Sequence, residues 1–167
     1  MKTLVTVASK HGATGEIGEA IAGVLRDAGL AVQTQSPENV TSLEDYDAVV
    51  LGSAVYAGRW VESARRFAER HHAELRARPV WLFSSGPIGA PLAPLEESAD
   101  GVRLARDLEA RDHRTFAGRI DPDALGWVER TITRMVKAPD GDFRDWEAIR
   151  AWADEIAASL TRIEVAP

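Results

Sequence analysis

Residues 3–28 impose a strand, a short turn and a helix, in that order. Thr3 to Ala8 is a β-rich apolar run with Leu4, Val5 and Val7. Ile17, Ile21, Val24, Leu25 and Ala28 then recur at helical spacing from about Glu16, and Gly29 follows as a stop. Between the two lies Ser9-Lys10-His11-Gly12-Ala13-Thr14-Gly15. The first amides of a helix have no internal acceptor and sit at the positive end of its dipole, so such a turn suits a phosphate. Ser9 and Thr14 add hydroxyl donors, His11 can donate to an anion, and Gly12 and Gly15 let the backbone close around the group. The alternative is a plain β-to-α turn capped by Thr14 that binds nothing.

The same alternation continues along the chain. Leu30 to Gln35 predicts a second strand, ended by Ser36-Pro37, and Ala48-Val49-Val50-Leu51 is a continuous apolar run of the kind a doubly buried strand shows. A loop, Gly52 to Trp60, precedes a helix over Val61 to Arg76, and Val80-Trp81-Leu82-Phe83 predicts the fourth strand. A loop from Ser84 to Pro94, a polar helix over about Asp100 to Ala110 and a fifth strand from His113 to Gly118 come next. Leu125, Val128, Ile132 and Met135 mark an insertion helix over about 123–137, and Trp146, Ile149, Ala153, Ile156 and Leu160 mark a final helix over 145–160. This pattern predicts one α/β domain over residues 1–167: a doubly wound, five-stranded parallel sheet in the order 2-1-3-4-5, with helices on both faces. The loops that follow strands one, three and four should then converge at one edge.

Composition narrows the function classes. The 167 residues are 45% hydrophobic and 28% charged, enough apolar surface for a real core. No cysteine is present, which excludes disulfides, thiol catalysis and iron–sulfur clusters and agrees with the cytosol. No apolar run reaches a membrane span, and Met1 leads straight into the first strand rather than into a signal peptide. A net charge of −6 argues against nucleic acid as a partner.

The glycines at 12, 15 and 18 do not form G-x-G-x-x-G, and strand two ends in Gln33-Thr34-Gln35 with no acid for a ribose. The chain also lacks G-K-[S/T] for a triphosphate, acids at the end of strand one, and a G-x-S-x-G elbow. What remains is a site for one terminal phosphate. In Ala54-Val55-Tyr56-Ala57-Gly58-Arg59-Trp60, Tyr56 and Trp60 can stack on a flat ring, and Gly58 can bring a peptide group to its edge. Stapling of the loop to the next helix is the other reading of both aromatics. Ser85, Gly86 and Pro87 can offer backbone donors to the opposite edge, or form only a tight turn. His71-His72 point to different helix faces, one packed and one solvated, and make no metal site. Arg130, Arg134 and Lys137 form a basic stripe, read as a solvated face; an anionic membrane surface or an acidic partner is its other reading.

Ser9-x-x-Gly12-x-Thr14 resembles the flavodoxin phosphate loop, with His11 where a hydroxyl residue usually stands. More specifically, the chain resembles the flavodoxin-like menaquinone-dependent protoporphyrinogen oxidases. The likeness runs through Tyr46 to Gly52, the loop to Trp60, Ala117-Gly118, Gly126-Trp127-Val128-Glu129-Arg130 and Asp145-Trp146-Glu147. It implies non-covalent FMN and two-electron oxidation of an organic donor, with a quinone as acceptor and the flavin carrying the chemistry, so that no side chain is singled out as catalytic. One departure is visible: the family carries a longer insert before the Asp-Trp-Glu helix, where this chain has only Ala138 to Arg144. The alternatives are a flavodoxin-type carrier between redox partner proteins and a binding module without flavin.

Overall fold

The computed structural model describes residues 1–86, 97–120 and 141–165. The insertion helix expected at 123–137, the Arg130, Arg134 and Lys137 stripe, and Pro87 lie outside them. Strands β1 (Lys2–Ala8), β2 (Ala31–Gln35), β3 (Ala48–Tyr56), β5 (Val80–Gly86) and β6 (Asp112–Ala117) form one parallel sheet in the order β2-β1-β3-β5-β6. This is the predicted 2-1-3-4-5 order. Among the described residues this sheet gains one strand, β4 (Arg59–Trp60), which folds back antiparallel on β3 within the expected loop. A small separate pair, β7 (Arg119–Ile120) with β8 (Gly141–Asp142), brackets residues 121–140.

Helices cover both faces. Val5, Val50, Trp81 and Phe83 pack with α1 (Ala13–Asp27) and α5 (Trp146–Val165). Their strand neighbours Leu4, Val49, Leu51, Val80 and Leu82 pack on the other face with α2 (Glu62–Arg70), α3 (His72–Arg76) and α4 (Ala99–Asp107). Successive side chains of a strand point to opposite faces, so the unbroken apolar runs are what a sheet buried on both sides requires.

The second helix and the third strand differ from the expectation. The helix predicted over 61–76 is divided at His71 (φ −104°, ψ 21°). Its imidazole is buried against Phe67 and its Nδ1 lies 2.6 Å from Glu74, while His72 is exposed, as the opposite-face reading of the pair expects. β3 runs five residues past Leu51, into what composition suggested was loop. Gly52 is there because the Phe83 ring lies over it: a Cβ at Gly52 would fall 2.1 Å from the ring. A small residue in this strand marks close packing rather than a turn.

Candidate functional site

Strand register brings the predicted regions to one edge. Ala8 stands opposite Ser53, Ala54 opposite Ser85, and Gly86 opposite Ala117. The turn after β1, the end of β3 and the end of β5 therefore meet at the carboxyl ends of adjacent parallel strands, where open α/β sheets place their ligands.

In the first turn, α1 begins at Ala13, three residues before the expected start. Gly12 is its N-cap at φ +84°, a conformation that L side chains rarely adopt. The Gly12 amide donates to Ser9 Oγ at 3.1 Å, and its carbonyl accepts from the Glu16 amide at 3.0 Å. No side chain caps the helix. Thr14, 4% exposed, lies inside the first turn and so cannot be the cap that the plain-turn alternative required. The amides of Ala13, Thr14 and Gly15 are thus first-turn donors with no acceptor within the helix.

The second region is a hairpin rather than the expected loop. Ala57 (φ 49°) and Gly58 (φ 75°) are consecutive left-handed residues between β3 and β4, the pattern of a two-residue type I′ turn. Ser98 Oγ donates to the Gly58 carbonyl at 3.3 Å, which ties the turn to the start of α4. Tyr56, half-buried, leans toward the first turn: the Lys10 ammonium lies 4.6 Å from its ring centroid, and the His11 ring meets it edge-on at 6.3 Å. The structure therefore brings Tyr56 and the turn after β1 together.

Trp60 is a correction. Its side chain is in the core, 2% exposed, with no open face on which a ring could stack. The indole Nε1 donates to Ser84 Oγ at 2.8 Å, Ser84 Oγ lies 3.0 Å from His113 Nε2, and the Trp60 amide donates to buried Asp100 at 3.0 Å. The stapling reading accounts for Trp60, and Tyr56 is the aromatic of this region that faces the turn after β1. Ala54 and Ser85 are buried at the strand ends, Val55 pairs with Trp60, and the Gly86 carbonyl accepts from Gly118 at 2.9 Å. Arg59, 64% exposed, turns to Asp100 at 3.5 Å. A cleft of about 720 Å³ opens beside the hairpin, bordered by Lys10, Tyr56, Arg59, Arg65 and Arg66.

Sequence reasoning overlooked two clusters. Burial lowers the pKa of His113 against the pull of Glu97 and Asp112, which favours the neutral imidazole beside Ser84. All three groups are satisfied when the indole N–H donates to Ser84 and the Ser84 hydroxyl donates to Nε2. The second cluster joins Arg144 and Asp142 to Glu16 in the first turn of α1. Its only signal was position: Arg144 immediately precedes Asp145-Trp146-Glu147. Among the described residues no group of acids and histidines could hold a metal, and no helix is long and apolar enough to cross a membrane.

Fold and edge together define a doubly wound α/β protein with an uncapped helix N-terminus and Tyr56 side by side at its switch point. The chain belongs to the flavodoxin-domain family, whose model matches residues 4–146. It is similar to the protoporphyrinogen IX dehydrogenase [quinone] of Escherichia coli (strain K12), with 23% identity over 94% of this chain and 95% of that one. That alignment of 174 positions is longer than this chain, so the relative carries segments absent here. Among solved structures, rubredoxin oxygen:oxidoreductase from Desulfovibrio gigas superposes with a TM-score of 0.68 at 13% identity. It covers 99% of this chain but only 37% of its own length. A Streptococcus pneumoniae TIGR4 flavodoxin superposes at 0.63 with 18% identity, covering 95% of this chain and 99% of its own.

Proposed function

We propose that the protein is an FMN-dependent oxidoreductase that passes electrons between an organic donor and a quinone-like acceptor. The observation that carries this reading is the meeting of Tyr56 with a helix N-terminus that no side chain caps. A terminal phosphate fits the Ser9 and Thr14 hydroxyls and the amides from Lys10 to Gly15. Tyr56 then flanks the planar ring, the Ala57-Gly58 turn borders one of its edges, and Ser85-Gly86 border the other. Ala54 and Val55 support Tyr56 from the end of β3. FMN, when bound, supplies the two-electron chemistry; the chain binds, orients and shields it. The quinone part of the reading is supported by the likeness to the Escherichia coli protoporphyrinogen IX dehydrogenase [quinone].

Incubation with FMN followed by gel filtration should leave a yellow protein with quenched flavin fluorescence. A colourless product overturns the reading. Electron carriage between redox proteins is the second reading, favoured by the near end-to-end likeness to a small flavodoxin. Redox titration separates them: a single two-electron step with quinone turnover supports the enzyme, and two well-separated one-electron steps support the carrier.

A further inference from the structure

Glu16 creates a problem for a phosphate site. An acid in the first turn stabilises its own helix, because it sits at the positive end of the dipole. For the same reason it weakens that end for any second anion. Here Glu16 is held between two arginines. Arg144 Nη1 donates to Glu16 Oε2 at 2.7 Å, and Arg119 Nη1 lies 3.3 Å from Glu16 Oε1. Arg144 Nη1 also donates to the Ala13 carbonyl at 3.1 Å, in the peptide that follows the first helical amide.

Arg144 is built for this position. Its side chain is 3% exposed, and burying a guanidinium is costly unless it is paired throughout. Nε and Nη2 make a bidentate pair with Asp142 at 2.8 and 2.6 Å, and the guanidinium carbon lies 4.5 Å from the Trp146 ring centroid. Hydrogen bonding to Asp142 and then to Glu16 raises the Arg144 pKa further above its ordinary value, and Arg144 holds the Asp142 carboxyl below its own. Asp142 belongs to β8, which pairs with Arg119–Ile120 of β7. One network therefore fastens the strand pair around residues 121–140 to the first turn of α1.

We infer that Arg144 is a positioning residue for phosphate binding: with Arg119 it neutralises Glu16 and fixes the Ala13 peptide, keeping the α1 N-terminus attractive to a phosphate. This inference rests on the FMN reading. It predicts an effect on the phosphate alone, which riboflavin isolates because it carries the same ring without the phosphate.

Fluorescence titrations of the full chain with FMN and with riboflavin test it. Arg144→Gln should weaken FMN about tenfold while riboflavin changes less than about twofold. Glu16→Gln should tighten FMN about threefold, and the double variant should return to within about twofold of the wild type. Equal weakening of both flavins in Arg144→Gln, an unchanged FMN-to-riboflavin ratio, or a double variant no better than Arg144→Gln would overturn the inference while leaving the FMN site standing. If Arg144→Gln fails to fold, Glu16→Gln decides alone: tighter FMN at constant riboflavin supports the role, and unchanged FMN overturns it. Wild-type protein that binds neither flavin overturns the FMN reading, and this inference with it.

Discussion

The turn after β1 and the hairpin after β3 stand side by side at one sheet edge, yet they are built in opposite ways. The turn has Gly12 in a left-handed conformation and leads into a helix that no side chain caps, so the amides of Ala13, Thr14 and Gly15 have no acceptor within the helix. In the hairpin, polar groups are paired inward: the Trp60 amide with Asp100, the indole with Ser84, Ser84 with His113, and the Val61 amide with Ser53 Oγ at 2.9 Å. One element is defined by first-turn amides that have no acceptor in their own helix, the other by donors paired within the fold. They should therefore fail differently. Damage to the hairpin should appear as lost stability, and damage to the turn as lost affinity.

The largest effect is expected at Trp60. Trp60→Ala removes a buried indole and strands the Ser84–His113 pair, which should cost about 3–5 kcal/mol in urea unfolding. A loss under about 1 kcal/mol would mean that the hairpin is not the rigid half of the site. Thr14→Ala should do the reverse, weakening FMN by about 1–3 kcal/mol through a lost charge-assisted bond while riboflavin binding and urea stability hold. An unchanged FMN affinity would remove Thr14 from the site. Tyr56→Ala lies between the two regions. It should weaken FMN and riboflavin alike, by about 0.5–1.5 kcal/mol beyond the lost contact area, because stacking does not involve the phosphate. A selective loss of FMN would show instead that Tyr56 acts through Lys10 and His11, which touch its ring.

The two regions also differed in how much the sequence disclosed. Apolar runs alternating with helical periodicity were enough for the strand order, because doubly buried strands have no other way to look. The turn was legible because Gly12 and Thr14 lie between a strand and a helix, although Ala13 to Gly15 joined the helix rather than the loop. The hairpin was not. Gly52, Ser53 and Ala54 have loop composition, but they are small because Phe83 lies over Gly52 and because Ser53 anchors the start of α2. Trp60 is an aromatic at a strand end in either reading, and only burial separates a stacking platform from a core residue. Arg144 acts on Glu16, 128 positions away, a pairing that no local pattern encodes.

The smallest expected effect probes the inward-paired side through pH. Burial, opposed by Glu97 and Asp112, lowers His113 from its ordinary value of 6.5, so the unfolded chain takes up this proton before the folded one does. Where the unfolded state binds more protons, stability rises with pH. The contribution of His113 is therefore complete above about pH 6.5 and is lost as the pH falls through the lower folded value. Protonation would also place an N–H where the Ser84 hydroxyl now donates, so the change should be felt at Trp60. The carboxyls held below their ordinary values give up their contributions only on further acidification. Glu74 is held there chiefly by its hydrogen bond with His71, and Asp142 by Arg144; in Asp112, hydrogen bonds from Arg114 and Trp152 outweigh the upward push of burial. The interval from about pH 6.5 down to 5 thus isolates the histidine. Melting temperature should stay level from pH 8 to 7 and fall across that interval, with a parallel red shift in tryptophan fluorescence. His113→Gln should flatten the slope while lowering stability at pH 8. An equal slope in the variant would place the acid sensitivity elsewhere and leave the Trp60–Ser84–His113 chain as packing alone.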